Sequence, residues 1–363
     1  MELTERTSWL DPTRAPRRGE ELDLTAVGEF LRENIPGLKG ELVIEQFPSG
    51  HSNLTYLLRF GEQEIVLRRP PFGAKGIKAG HDMGREFRIL SRLHQVYPPA
   101  PEPLATCEDE AVMGAPFYVM ERKKGVILRR DPPAGLQLDP GTMRKLSGSL
   151  IDNLAEIHRV DYQSIGLADL GRPEGFLARQ VQGWADRYEK ARTDEIPEVG
   201  PVVDWCRRNV PVSPAPTLIH NDYKFDNVVL DPGDLTRIIG VLDWEMSTIG
   251  DPLFDLGVTL SYWVQADDPE EVQLFRTLPT NLEGAYTRQE VVDHYAGRTG
   301  RDVSGLVFYY AFALFKLAVI AQQIYYRYAK GFTRDERFAL MLPGAMILVK
   351  YAWKAIEKGA VGF

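Results

Sequence analysis

Three short apolar runs follow a polar opening stretch. Residues 42–47, 54–60 and 64–69 each have strand length, and Phe60-Gly61 starts a turn between the second and third. Along the third run Ile65 and Leu67 fall on one face, Val66 and Arg68 on the other, the period-2 signature of a half-buried strand. Pro70 and Pro71 stop it. Residues 24–35 read as a short amphipathic helix. Residues 82–95 carry apolar positions 83, 87, 90 and 93 at helical spacing, with Asp82 as N-cap. Residues 98–103 read as a Pro-rich loop and 116–121 as another strand. Beyond Gly125 the period changes. Residues 140–159 have apolar positions at 143, 146, 150, 154 and 157, and 175–191 and 201–209 are helical too. A β-like island at 217–243 interrupts the helices, which then run to the end. The pattern predicts an α+β protein with a loose arm over 1–24, a small mixed lobe over 25–122 and a larger, mainly helical lobe over 123–363.

A length of 363 residues suffices for two such units, and an apolar fraction of 44% with 26% charged residues is ordinary for a globular chain. The balance of 43 basic and 51 acidic residues, net −8, gives no global attraction to nucleic acid or anionic lipid. The opening residues lack the apolar segment of a signal peptide. The most apolar stretch, 306–321, is too short to span a bilayer and is expected to be a buried helix. Two cysteines, Cys107 and Cys206, exclude a disulfide framework or a Cys-built zinc site. The expected setting is the cytoplasm, with no nucleic-acid or membrane partner.

Chemistry concentrates in two places. In TLIHNDYKFDNVVLD, residues 217–231, a polar insert of His220, Asn221, Asp222, Lys224, Asp226 and Asn227 is flanked by apolar runs. Such an insert exposes functional groups on a rigid support. In 238–257, an apolar run ends in Asp243, Trp244 and Glu245, followed by Gly250-Asp251-Pro252 and Asp255. Read alone, Asp and Asn here are ordinary turn formers; three of them in order, each after an apolar run, argue for a site.

His220-x-Asp222-x4-Asn227 followed by Asp243 resembles the catalytic and metal-binding motifs of kinase-like phosphotransferases, in particular the aminoglycoside phosphotransferase and choline kinase branch. LAEIHRVD (154–161), GDPLFDLG (250–257) and VLRRPP (66–71) narrow the resemblance to the kinase-like domain that stands alone in many bacteria and is fused to acyl-CoA dehydrogenases in animals. It extends over roughly residues 25–345. It implies a two-lobed protein-kinase-like fold with a small antiparallel-sheet N-lobe, ATP and Mg²⁺ as cofactors, and a hydroxyl as acceptor. Phosphoryl transfer to a hydroxyl needs a carboxylate to orient it and take its proton, a role that falls to Asp222. Mg²⁺ prefers hard oxygen ligands, which Asn227 and Asp243 supply. The resemblance makes His220 a support for the loop, Lys224 a contact for the γ-phosphate or acceptor, and Asp251 and Asp255 supporting acids.

The N-lobe departs from other kinases in lacking both a Gly-x-Gly-x-x-Gly loop and a Walker A motif. FPSGHSN (47–53) lies where the family covers the phosphates: Gly50 permits close backbone approach, and Ser49, Ser52 and Asn53 carry donors. Arg68 stands where most kinases have lysine, and Glu86, 18 residues on, is its expected partner. FYVMERKKG (117–125) resembles the inter-lobe hinge, where the backbone of Met120, Glu121 and Arg122 would meet adenine.

The acceptor is the least legible part. Aromatic residues from Tyr262 to Tyr328 fall at helical spacing and suit a core. Lys316, Gln322, Gln323 and Arg327 on an otherwise apolar helix suggest an anionic or amphipathic acceptor, and the resemblance points to a hydroxyacyl-CoA or related hydroxy acid. The alternatives are an aminoglycoside, macrolide, choline or homoserine kinase, or a nucleotide-binding pseudokinase scaffold.

Overall fold

The computed structural model describes residues 8–48, 53–72, 82–333 and 335–362. Gly50 and Ser52, expected over the phosphates, lie outside them, as does Ser49.

The N-lobe is a five-stranded antiparallel sheet in the order β1-β2-β3-β5-β4, with β1 Leu42–Gln46, β2 Leu54–Phe60, β3 Gln63–Arg69, β4 Pro103–Cys107 and β5 Phe117–Glu121. Alternation along β3 sorts its side chains as the sequence predicts. Ile65 and Leu67 join a small core beneath helix α1 (Leu24–Asn34), while Val66 joins the main core. The carboxylate of Asp23 accepts from the N–H groups of Thr25 and Ala26 to start α1. Helix α2 (Met83–Leu93), capped by Asp82, packs on the other side of the sheet.

The C-lobe is built on α3 (Pro140–Ile157), α4 (Phe176–Ala191) and α5 (Val199–Arg208), then the strands β6 (Thr217–Ile219), β7 (Val228–Leu230), β8 (Ile238–Val241) and β9 (Thr248–Gly250). Helices α6 (Pro252–Ser261), α7 (Arg288–Thr299), α8 (Leu306–Ala329) and α9 (Met341–Lys358) complete it. The β-like island, expected over 217–243, reaches to Gly250 and becomes two small antiparallel ribbons, β6 with β9 and β7 with β8. Their connecting loops bear the polar residues.

Three expectations need correction. Pro103, expected to end a loop, instead begins β4, which runs to Cys107, because pairing to β5 overrides weak strand propensity. Helix α8 runs 24 residues rather than 16, and by length and mean hydropathy it and 336–358 could each cross a membrane; 72% of the α8 window is buried inside the fold, against 33% of the other. The arm is not loose over its described part. Trp9 is buried in the main core, Leu10 bridges Val126, and Arg14 exchanges backbone hydrogen bonds with Gln46 of β1. The arm is therefore a strap touching both lobes.

Gly125 follows β5 where the chain crosses between lobes. A Cβ there would lie 2.2 Å from the Leu230 carbonyl oxygen, so the Val126–Leu230 bridge requires glycine.

Candidate active site

A cleft of about 470 Å³ separates the lobes. Its lining includes Asn53 and Arg68 from above, Met120, Glu121 and Arg122 at the back, and Asp222, Lys224, Asp226, Asn227 and Asp243 from below. The structure thus brings these expected residues around one space; Glu86 and His220 stand behind it.

The lower wall is a tightly hydrogen-bonded loop. His220 is fully buried; its Nε2 lies 2.9 Å from the Leu242 carbonyl oxygen and its Nδ1 accepts from the Asp222 N–H at 3.3 Å. It holds the loop and does not reach the cleft. Buried Asp255 accepts from the N–H groups of His220 (2.7 Å) and Asn221 (2.6 Å), and its Oδ2 lies 3.1 Å from His158 Nε2. Burial alone would push the Asp255 carboxyl up, but His158 and the loop donors hold it below the usual range. Asp251 caps α6 through the Leu253 N–H and accepts from the Tyr309 hydroxyl at 2.9 Å. Asn221 and Asp243 are the two non-glycine residues with positive φ, at 67° and 69°, among the described residues. Both sit in loops of the site, where such conformations persist only under strong surrounding constraint.

Asp222 accepts from Lys224 Nζ and from Asn227 Nδ2, the latter at 3.0 Å. Because the Asn227 amide nitrogen is turned to Asp222, its carbonyl oxygen faces away from it. Burial disfavours the Lys224 charge, but Tyr262 and the carboxylates of Asp222 and Asp226 outweigh it and hold the ammonium firmly protonated. Asp226 is pushed up to about 6, chiefly by burial, and its Oδ1 has no hydrogen-bond partner among the described residues.

Across the cleft, Arg68 gathers three carboxylates: Glu86 at 3.1 Å, Asp243 at 2.8 Å and Glu245 at 3.3 Å. The guanidinium is kept charged by Glu86, Asp243 and Glu245 despite its burial. Arg68 in turn draws Asp243 down against the effect of burial. Glu245 is pushed up to about 8 by burial first and then by the charge of Asp243. One cation facing three acids leaves a local surplus of negative charge. Among the described residues no group of three His, Cys, Asp or Glu side chains is arranged to hold a metal alone. Hard oxygens from Asp243 and Asn227 beside this surplus nevertheless fit Mg²⁺, which is commonly bound by one or two carboxylates together with phosphates and water.

The sequence reading missed Glu245 as a site member. It also accepts from Asn53, tying the residue before β2 to the Asp243 side of the cleft. Its spacing from Asp243 was the available signal. Tyr262, set 4.6 Å from Lys224 Nζ, was one aromatic among many. Lys316 needs correction: it is buried on α8 and donates to Asn221 Oδ1 (2.7 Å) and O (3.2 Å), and burial pushes it down to about 8. Gln322 is buried and bonds Ala191 O and Thr193. Both support the fold and are not free to contact an anionic acceptor.

Arg68→Lys tests the clamp. Lysine keeps the charge but cannot span Glu86 and Asp243 with a planar fork. The expected loss is about 1–2 kcal/mol of stability, on the scale of a charge-assisted hydrogen bond, read by urea denaturation. An unchanged midpoint would remove Arg68 from this role.

The comparisons agree with this geometry. Residues 43–286 match the model of the phosphotransferase enzyme family, APH. The chain is 34% identical over 330 residues to acyl-CoA dehydrogenase family member 11 of Rattus norvegicus, covering 86% of this chain and 41% of that protein. It therefore spans about two fifths of the length of that relative. A Ralstonia eutropha structure, provisionally named an aminoglycoside phosphotransferase, is 31% identical with a TM-score of 0.78, covering 93% of this chain and 99% of that one. A mutant aminoglycoside phosphotransferase in ternary complex with ADP and hygromycin B has a TM-score of 0.58 over 91% of this chain and 98% of its own, and at 14% identity shows the fold alone. The two-lobed architecture is thus the kinase-like one, and the chain belongs to the phosphotransferase enzyme family.

Proposed function

We propose that the protein is an ATP- and Mg²⁺-dependent kinase for the hydroxyl of a small molecule, with a hydroxyacyl-CoA or related hydroxy acid as acceptor. The observation that carries this reading is the placement of Asp222 between Lys224 and Asn227 on the cleft floor, with Asp243 lining the same space. Adenine would meet the hinge. There the Glu121 N–H is already spent on Glu102 O at 2.8 Å, so the base would use other backbone groups of Met120, Glu121 and Arg122. Arg68, held by Glu86, would face the phosphates. Asn227 and Asp243 would hold Mg²⁺, whose charge would offset that of the phosphate oxygens. Asp222 would accept a hydrogen bond from the acceptor hydroxyl, orient its oxygen for in-line attack and take its proton as the new P–O bond forms. Lys224 would neutralise charge on the transferred group.

ADP in the aminoglycoside phosphotransferase complex supports an adenine nucleotide, and kinship to a protein named for acyl-CoA chemistry supports the acyl thioester. The test is incubation with ATP, Mg²⁺ and a panel of 3- and 4-hydroxyacyl-CoAs, free hydroxy acids and aminoglycosides, with phosphorylated product read by mass spectrometry. A product mass increased by one phosphoryl group on a hydroxyacyl-CoA is expected. Turnover of aminoglycosides alone would replace the acceptor, and absence of nucleotide binding would sink the kinase reading.

A further inference from the structure

The strap at the start of the chain lies outside the family-matched segment 43–286, yet it reaches the cleft. Asp11 lines the cleft, with its side chain only 13% exposed, and its Oδ1 accepts from Arg129 Nη1 at 2.7 Å. The strap is seated on both sides of this residue. Trp9 is buried in the main core, the Asp11 N–H reaches the Gly125 carbonyl at 3.4 Å, and Arg17 donates to Pro48 O at 2.8 Å and, through its N–H, to Gln46 Oε1 at 2.9 Å.

The segment after the hinge fixes where along the cleft Asp11 stands. Gly125, Ile127 and Arg129 line the cleft, while Val126 and Leu128 are fully buried. This is the alternation of extended chain, so Arg129 lies about 13 Å beyond Gly125 at roughly 3.3 Å per residue. The Asp11 backbone is seated at Gly125 and its carboxylate meets the side chain of Arg129, so the pair bridges from the hinge side of the cleft toward the catalytic loop, where Asp226 feels the charge of Arg129. A ligand with its base at the hinge and its phosphates near Lys224 presents its sugar between them. A carboxylate there repels phosphate and accepts from hydroxyl groups.

We propose that Asp11 is the sugar-recognising residue of the nucleotide site, its carboxylate accepting from the 2′- and 3′-hydroxyls of a ribonucleotide, with Arg129 as the positioning residue that aims it. The inference rests on the adenine-nucleotide reading above. The strap then completes one wall of the site and makes the protein selective for ribose.

The test measures binding of ATP, 2′-deoxy-ATP, 3′-deoxy-ATP and 2′,3′-dideoxy-ATP by calorimetry to the full chain and to Asp11→Asn. Asparagine keeps an acceptor oxygen for Arg129, so the strap stays seated, but its amide cannot replace a carboxylate toward a diol. Wild type should prefer ATP over the dideoxy nucleotide by about tenfold or more, the size of one charge-assisted hydrogen bond. Asp11→Asn should lose most of that preference by weakening ATP while leaving dideoxy-ATP unchanged. Equal weakening of both nucleotides, an intact preference in the variant, or no preference in wild type would each overturn the inference while leaving the kinase reading standing. If no nucleotide binds wild type, both fall.

Discussion

Asp222→Asn should lower kcat by on the order of 10²–10⁴, the usual worth of a positioned general base. The fold should be untouched, since Asp222 is half-buried at a cleft and asparagine is nearly its shape. The amide can still accept from Lys224 or Asn227, but it cannot take the acceptor's proton, and the ammonium of Lys224 loses its closest counter-charge. Steady-state kinetics with the acceptor identified by the mass-spectrometric panel gives the number, and nucleotide binding by calorimetry separates chemistry from binding. A variant that keeps more than about a tenth of wild-type kcat would move the base elsewhere.

Asp255→Asn should cost about 3 kcal/mol of stability, on the scale of breaking a buried charged network. Asp255 meets donors at both oxygens: the His220 N–H and His158 at Oδ2, the Asn221 N–H at Oδ1. Asparagine offers one acceptor oxygen and turns an NH₂ against an N–H, leaving a buried donor unpaired. The sign with pH follows from its depressed carboxyl. The folded group ionises more readily than the unfolded one, so its contribution is complete above the ordinary aspartate range, near 4, and is lost as pH falls through the lower folded value. Urea denaturation at pH 7 should show the full loss, and the gap between wild type and variant should narrow in acid. A gap that stays constant with pH would mean that the Asp255 charge contributes nothing.

Much of this was legible because the informative residues sit where periodicity breaks. His220, Asp222, Asn227 and Asp243 interrupt apolar runs, and a polar insert between strands has little to do except function or turn. Arg68 and Glu86 could be paired because one ends a strand and the other lies on the inner face of the next helix. The strap was illegible for the opposite reason. Its seating rests on one buried aromatic, Trp9, on backbone bridges at Leu10 and Arg14, and on scattered polar contacts of Asp11 and Arg17, none of which leaves a periodic trace. Lys316 was misread because a lysine on an apolar helix looks the same whether it faces a ligand or, as here, the carbonyl and amide oxygens of Asn221. Glu245 needed the fold, since only the closing of α2 onto the 243–247 loop brings it beneath Arg68.

That closure has a consequence for the order in which the protein is made. Glu86 accepts from the Trp244 N–H at 3.1 Å, Arg85 donates to Glu245 O at 2.9 Å, and Arg68 reaches Asp243. The sheet of the N-lobe is complete in sequence at Glu121, roughly 120 residues before these partners emerge. At a synthesis rate of about 5–20 residues per second, the nascent N-lobe waits on the order of 10 s with Arg68 and Glu86 able to pair only with each other. Of the two lobes, the one translated earlier is the one that cannot complete its contacts until the middle of the later one has been made.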